Sequence, residues 1–503
     1  MTQIYKVFGP PGTGKTTYLL NRVEELMLAG ERPYEIGYFA FTRKAANEAK
    51  DRAFARFEQL QQSDLTFFRT LHSLAYSRLG VNADRIAKES DFREFGKQMG
   101  MDLSVGSGDD SWVVKADHPI LNVINLSRLK MTDLRAEYNN STLQVDWYHF
   151  LYIYQSYRAF LQERNLLDFT DLLERFADMK EEHYPQLSSV FIDETQDLSP
   201  LQWKIVDRLV NRSNRAYLAG DDDQAIFGFA GAEVEHLLKY KGEQIVLDQS
   251  YRIPKKIHEL SARVISRVKY RVDKTWNPRE EEGSVSAYRR FEDIDISQAG
   301  SWMVLSSTNY LLNPAHEHLK RHGVLFERNN VRSIGEGAVE AVYAWEALRK
   351  GRQINAVEVK ELYKLLGPGM IARGFKKFDG PEDKLYNAHD LTTTWGLQVD
   401  LAATPWFDAL VKISGDKTLY IKAALRSGQS LRGTPRFKLF TIHGSKGGEA
   451  DHVVLYLDLS TKFMDEYHAN PDSINRLLYV GMTRARKSLH LIYPQDISKA
   501  FFI

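Results

Sequence analysis

The strongest constraint on the fold is a short run near the start of the chain. Residues 9–16 read Gly-Pro-Pro-Gly-Thr-Gly-Lys-Thr, a full match to the pattern G-x-x-x-x-G-K-[ST]. Residues 4–8 before it are mostly apolar, as a buried strand is. After Thr16, apolar residues recur at Leu19, Leu20, Val23, Leu26 and Met27, a helical spacing that stops at Gly30. Strand, glycine loop and helix are what phosphate binding requires. Glycines let backbone N–H groups turn inward around phosphate oxygens, and the helix N-terminus adds partial positive charge. Lys15 is then placed to reach the β- and γ-phosphates of a nucleoside triphosphate, and Thr16 to hold Mg²⁺. The competing reading is a glycine turn in a protein that binds no nucleotide. It fits poorly with a full match in the right context. Taken alone, the motif says nucleotide binding and little more.

A second apolar run ends in acid. Residues 190–197 read Val-Phe-Ile-Asp-Glu-Thr-Gln-Asp, so a buried strand delivers Asp193 and Glu194 at its C-terminal end, where ligands sit in open α/β sheets. Triphosphate hydrolysis needs one carboxylate to hold Mg²⁺ and another to take a proton from the attacking water. A helix cap with a solvated acidic cluster is the alternative for such a pair. A third strand, over 216–219, runs into Gly220-Asp221-Asp222-Asp223-Gln224, where a neutral amide can feel a γ-phosphate without adding charge. Acidic turns of this kind are common, so this signal is weak by itself.

Composition narrows the class. The 503 residues suggest two to four domains. The net charge of +1 excludes a wholesale basic surface, so any nucleic-acid contact must come from local patches. Cysteine is absent, which excludes disulfides and cysteine-ligated zinc and fits a reducing compartment. The N-terminal residues do not read as a secretory leader, and no apolar run reaches the ~18 residues of a membrane helix. The expectation is a protein of the cytoplasm, or of the host cytoplasm if the source is viral, with no membrane partner.

With these motifs in place, further segments complete an ordered set: AFTRKAANEAKDR at 40–52, RTLHSLA at 69–75, DFTDLL at 168–173, FIDETQDLSPLQ at 191–202, AGDDDQAIFGFAGA at 219–232, LDQSYR at 247–252, TIHGSKGGEADHVV at 441–454 and LLYVGMTRARKSL at 477–489. In this order and spacing the chain resembles the superfamily 1 DNA helicases of the UvrD/Rep type, from residue 9 to residue 489. The resemblance implies an ATP-hydrolysing enzyme that translocates on single-stranded DNA, 3′→5′, and separates strands at single-strand/duplex junctions, with ATP and Mg²⁺. It implies an α/β fold of two RecA-like P-loop cores in tandem, each with a mainly helical insertion. The expected divisions are 1–72, 167–246 (first core, interrupted by an insertion at 73–166), 247–329 and 437–503 (second core, interrupted by an insertion at 330–436).

Residue roles follow from the same resemblance. Gly9, Pro10, Gly12, Thr13, Gly14, Lys15, Thr16 and Thr17 form the phosphate cradle. Asp193 matches the Mg²⁺ aspartate beside Thr16, Glu194 the general base and Gln224 the γ-phosphate sensor. Tyr251 looks like the residue that packs on the nucleotide base, and Glu449 like the one that contacts the ribose. Arg252 and Arg484 look like the two arginines that reach the γ-phosphate from the second core. Arginine is always charged and forks onto phosphate oxygens, so it suits a developing phosphoryl charge, though a lone arginine ordinarily reads as a surface ion pair. Phe41, Phe227 and Phe229 match positions where aromatics stack on bases, with core packing as the alternative for each. Thr70, His72 and Thr441 match positions that touch the DNA backbone. His443 matches the motif histidine that contacts DNA or relays closure.

Between the motifs, Phe150, Ile153, Tyr154, Tyr157, Phe160 and Leu161 form an amphipathic stripe in the first insertion, and 104–110 reads as a loop. Strands of the second core are expected at 303–305, 453–457 and 489–492. In the second insertion, 339–348 and 357–366 read as helices and 367–382 as a loop bearing Lys376 and Lys377. Arg426, Arg432 and Arg436 sit in a Gly/Ser/Pro-rich return segment, either as duplex contacts or as solvated loop residues.

Several positions depart from the family pattern. Only eight residues precede the phosphate loop, leaving no room for the upstream glutamine that reads adenine, and Thr17 stands where a base-stacking arginine is common. Relaxed nucleotide selectivity is the expectation. Ala230 follows Phe229 where arginine is frequent, and 305–309 lacks an arginine often found there. Three other readings stay open. They are a translocase that strips proteins from single strands, a catalytically inactive nucleic-acid-binding module, and a P-loop ATPase acting on RNA or protein. Retention of Lys15, Glu194, Gln224, Arg252 and Arg484 together argues against the inactive module.

Overall fold

Short β-rich apolar runs punctuated by glycine and acid become two parallel sheets. The structure, a computed structural model, describes residues 2–57, 60–103 and 118–503. The expected loop at 104–110 lies outside the described residues. The chain divides into two compact units, residues 1–282 with 466–483 and residues 283–465 with 484–503.

Unit 1 is built on a six-stranded sheet of β1 (Gln3–Phe8), β2 (Ile36–Ala40), β3 (Phe68–Thr70), β4 (Leu187–Ile192), β5 (Ser213–Gly220) and β6 (Glu243–Val246). The order is β3-β2-β4-β5-β1-β6, and every pairing is parallel. Parallel strands are covered on both faces, which is why β2 is buried at all of its positions rather than at alternate ones. The order also matters for function. β4, β5 and β1 are consecutive neighbours, so the acidic pair, the sensor turn and the phosphate loop leave the sheet side by side at its C-terminal edge.

The first insertion is helical, with helices Glu89–Met99, Pro119–Leu129, Leu134–Asn139 and Trp147–Glu163. Phe150, Ile153, Tyr157, Phe160 and Leu161 of the expected stripe are buried in a core of their own with Phe92, Phe95 and Ile124, and Tyr154 packs at its margin. A buried ion cluster joins this insertion to the helix Phe169–Ala177. Arg128 donates to Asp168 Oδ2 at 2.7 Å, Asp171 Oδ1 at 2.7 Å and Glu174 Oε2 at 2.6 Å, and the Tyr157 hydroxyl donates to Asp168 Oδ2 at 2.9 Å.

Unit 2 carries a seven-stranded sheet of β7 (Ser284–Tyr288), β8 (Trp302–Ser306), β9 (Phe326–Arg328), β10 (Val331–Arg332), β13 (Phe437–Thr441), β14 (Ala450–Tyr456) and β15 (Ala485–Ile492), with β11 (Ile354–Asn355) and β12 (Leu385–Tyr386) forming a separate small pair. The order is β10-β9-β13-β8-β14-β15-β7, parallel except for the β9–β10 hairpin. The insertion between β10 and β13 contains the expected helices, here Glu336–Arg349 and Ala356–Leu365. Its Trp345, Leu362 and Tyr363 belong to one continuous core with Trp302, Val304 and Leu439 of the sheet, so this insertion shares its interior with the unit that hosts it.

Two segments fall elsewhere than the sequence divisions suggest. Residues 247–282 and the helix Pro471–Met482 group with unit 1, although the motif order assigns them to the second core. Arg432 pairs with Glu340 and Glu358, and Arg436 donates to the carbonyls of Ile296 and Gln298. The return segment is therefore pinned to its own unit through these arginines.

Candidate active site

The phosphate loop is held in shape by its own backbone. Gly9 N–H donates to Gly220 O at 3.0 Å, and Thr13 donates to Pro10 O from both its N–H (3.2 Å) and its hydroxyl (2.8 Å). Gly12 and Gly14 have φ of 75° and 78°, the left-handed region that glycine adopts without strain. A Cβ at Gly9 would stand 1.9 Å from Lys15 Cγ, so the lysine stem lies flush across the loop, and its ammonium donates to Gly9 O at 3.1 Å. No side chain caps the helix Lys15–Leu28, which leaves its first N–H groups facing the loop. These features fit a triphosphate.

β4 carries the acidic pair to the same edge. Asp193 N–H donates to Phe39 O at 2.9 Å, and Asp193 Oδ2 accepts from the Tyr38 hydroxyl at 3.0 Å and the Thr16 hydroxyl at 3.3 Å. Burial, reinforced by the Glu194 charge and opposed by Lys15, pushes the Asp193 carboxyl up to about 6. Glu194 is a non-glycine residue at φ 56°, ψ 41°, strained backbone of the kind that collects at functional sites. Its Oε1 lies 3.6 Å from Lys15 Nζ. Burial would lower the Lys15 pKa, but Glu194, Asp221 and Asp193 outweigh it and hold the lysine above its ordinary value, charged. Thr16 and Asp193 offer hard oxygen ligands 3.3 Å apart. Mg²⁺ typically takes only one or two protein oxygens and completes its shell with phosphates and water, so this sparse pair fits it.

The sensor turn is more tightly bound than its sequence suggests. Gln224 Nε2 donates to Asp221 Oδ2 at 2.7 Å. Lys274, whose side chain is wholly buried, lies 3.1 Å from Asp221 and 3.1 Å from Asp223 and is bonded to Asp222. Arg271 forks onto Asp223 at 2.8 and 2.7 Å, and Arg476 Nε donates to Asp222 O at 2.8 Å. Gln196, inside the acidic motif, bridges the turn to Glu194. Sequence reasoning assigned none of Gln196, Arg271, Lys274 and Arg476. Only Gln196 carried a local signal, its place two residues after Glu194.

The segment after β6 returns to the phosphate loop. The Ser250 hydroxyl donates to Pro11 O at 2.7 Å and Tyr251 N–H to Gly12 O at 2.9 Å. A Cβ at Gly12 would meet Arg252 Cβ at 2.3 Å. Arg252 thus adjoins the loop and groups with unit 1. Tyr251 is 72% exposed. Thr17 receives Arg52 Nη1 at 3.4 Å from the helix Arg43–Arg56. Arg484 and Glu449 lie in unit 2. Arg484 Nη1 donates to Gly448 O at 3.2 Å, and Glu449 pairs with Arg486 at 3.1 Å.

Three aromatics gather beside the sensor. The Phe41 ring stacks on Phe227 at 5.8 Å, Phe227 tilts against Phe229 at 6.0 Å, and Phe229 is 60% exposed. Thr70 and His72 are placed differently. Thr70 is buried, and its hydroxyl caps the helix Leu71–Leu79 by accepting from Ser73 N–H at 3.2 Å. His72 sits edge-on to Phe169 at 6.3 Å, where desolvation pushes its pKa down to about 4 and keeps it neutral. In unit 2, Thr441 Oγ1 accepts from Gly444 N–H at 3.2 Å, and His443 lies 6.2 Å from the Phe463 ring.

A family model of the UvrD/REP helicase N-terminal domain matches residues 1–244, and one of the UvrD-like helicase C-terminal domain matches residues 437–492. The chain belongs to the UvrD/Rep helicase family. The ATP-dependent DNA helicase PcrA of Staphylococcus epidermidis is 28% identical over 312 residues, 57% of this chain and 41% of that protein. PcrA of Staphylococcus aureus is 28% identical over 275 residues, 50% of this chain and 37% of that protein. The chain thus spans about two fifths of the length of these curated relatives. Among solved structures, a complex of an arterivirus nonstructural protein 10 helicase with DNA covers 99% of this chain and 62% of its own, at 10% identity and a TM-score of 0.37, a likeness too slight to carry an argument.

Proposed function

We propose that this member of the UvrD/Rep family is an ATP-dependent DNA helicase that moves 3′→5′ on single-stranded DNA and opens single-strand/duplex junctions, in the cytoplasm where its DNA lies. One observation carries the reading: the hydrolytic and stacking groups hang on neighbouring strands of one sheet. Phe227 follows Gln224 by three residues, and Phe41 lies two residues beyond Phe39, whose carbonyl receives Asp193 N–H at 2.9 Å. A shift of bases on Phe227 therefore reaches Gln224 along three residues of chain, and a shift on Phe41 reaches Asp193 through the backbone hydrogen bond between β2 and β4.

In this reading the loop amides and Lys15 bind the β- and γ-phosphates. Mg²⁺, held by Thr16 and Asp193, would neutralise charge on the phosphate oxygens when bound. Glu194 orients the attacking water and takes its proton. Gln224 donates or accepts at the γ-phosphate. Arg252 and Arg484 supply the forked cations that the family likeness implies, Tyr251 faces the base and Glu449 the ribose. Phe41, Phe227 and Phe229 stack on bases; His72, Thr441 and His443 complete the DNA track, with Thr70 capping the helix that carries His72.

Strand displacement on partial duplexes tests this directly. The proposal expects ATP-dependent release of the duplex strand from a substrate with a 3′ single-stranded tail and little from one with a 5′ tail. Release from the 5′-tailed substrate alone contradicts the polarity. ATP-dependent removal of a bound protein without strand release would establish the translocase reading instead.

A further inference from the structure

We propose that Gln196 is a positioning residue that sets the general base Glu194 and the sensor turn in register with each other. This rests on the ATPase reading above.

The Gln196 side chain is fully buried and lies between the ends of β4 and β5. Its Oε1 accepts from Asp221 N–H at 3.0 Å, and its Nε2 donates to Glu194 Oε2 at 2.5 Å and to Asp197 Oδ2 at 3.3 Å. The partners fix the orientation of the amide: the oxygen faces an N–H donor and the nitrogen faces carboxylates. Asp221, whose N–H it holds, is the residue that receives Gln224 Nε2 at 2.7 Å. One amide therefore connects the base to the sensor's anchor in two hydrogen bonds.

The close approach is built into the backbone. Gly220 ends β5, and a Cβ there would stand 2.5 Å from Gln196 Oε1 and 2.7 Å from Thr195 Oγ1. Only glycine lets the amide lie against the strand end. Glu194 meanwhile sits in left-handed backbone at φ 56°, so its carboxylate direction is not set by a relaxed rotamer on a regular element. The hydrogen bond from Gln196 to Oε2 restrains that direction while Lys15 faces Oε1. Lys274 fixes the other end by burying its ammonium against Asp221. A displacement of the sensor turn must then shift Gln196, and through it the base.

The test compares wild type with Gln196→Ala, Gln196→Glu and Gly220→Ala. Three quantities are measured: kcat and KM for ATP hydrolysis at saturating single-stranded DNA, affinity for a fluorescent ATP analogue, and the thermal midpoint. Gln196→Glu keeps the size and the acceptor for Asp221 N–H but turns a carboxylate toward Glu194. Gly220→Ala leaves Gln196 in place chemically and displaces its amide. Misplacing a catalytic group by about 1 Å costs on the order of 10²-fold in rate. The proposal expects all three variants to lose kcat by roughly 10- to 100-fold, with analogue affinity kept within about two-fold. Equal losses in kcat and analogue affinity, or wild-type kcat in folded Gln196→Glu and Gly220→Ala, overturn it. A wild type that hydrolyses no ATP overturns the ATPase reading and this proposal with it. An active wild type with unaffected variants overturns this proposal alone.

Discussion

Lys274 places its ammonium 3.1 Å from Asp221 Oδ1 with both side chains wholly shielded from water, and the same ammonium meets Asp222 and Asp223. Three adjacent carboxylates in a buried turn repel one another, and burial would favour their neutral forms. The lysine is what allows the turn to stay compact. Its own pKa shows the balance: burial would lower it, but the three aspartates hold it above the ordinary lysine value.

Lys274→Met should therefore destabilise the protein strongly, because it leaves uncompensated buried charge. Breaking one partner of such a pair costs roughly 3–5 kcal/mol. The double variant Lys274→Met/Asp222→Asn removes one of the orphaned charges and should recover part of that loss. Chemical denaturation of the two variants checks this. Equal stability of Lys274→Met and wild type would show that the cluster does not hold the turn.

Phe229 is 60% exposed, so its truncation should leave the thermal midpoint nearly unchanged. Stacking of one base on an aromatic side chain is worth about 1–3 kcal/mol. Phe229→Ala should then weaken binding of a single-stranded oligonucleotide by roughly 5- to 150-fold. Fluorescence anisotropy at fixed salt measures it, since phosphate contacts would otherwise dominate the affinity.

In unit 2, Ser488 joins two buried imidazoles, lying 2.7 Å from His452 Nδ1 and 2.8 Å from His490 Nε2, with Trp302 stacked on both rings. Burial first, and then the neighbouring His452, push the His490 pKa down to about 4. The unfolded histidine titrates near 6.5. The unfolded chain thus binds the proton more readily, and stability from the neutral ring is fully present above pH 6.5 and lost as pH falls toward 4. The loss is up to about 3 kcal/mol. His490→Gln should flatten the pH dependence of unfolding across that window, measured by denaturant titration from pH 7 to pH 4.5.

The strand ends were legible in the sequence because the signals there are local. An apolar run followed by GPPGTGKT or DETQD fixes both a strand and what leaves it, and the ends of β1, β4 and β5 lie where those patterns put them. Lys274 was not legible, because its partners lie some fifty positions away and a lone lysine reads as surface. Thr70 shows the opposite limit. Its residue type suits both a DNA-backbone contact and a helix cap, and only the fold shows that the hydroxyl is engaged by Ser73 N–H. Arg432 and Arg436 looked like residues of a solvated or DNA-facing loop, yet each is bonded to groups of its own unit far along the chain. The unit boundary was hidden for the same reason. Tyr251 and Ser250 are tied to the phosphate loop by hydrogen bonds that no spacing pattern records.

Hydrolysis and single-strand binding are coupled in the proposed motor, with Glu194 as the base. Steady-state ATP hydrolysis with and without single-stranded DNA, beside a Glu194→Gln control, tests it most directly. The expected result is strong stimulation by DNA that disappears in Glu194→Gln, a loss of about 10²- to 10⁴-fold for a missing general base, while the variant still binds nucleotide. Turnover indifferent to DNA, or full activity without the Glu194 carboxylate, would contradict it.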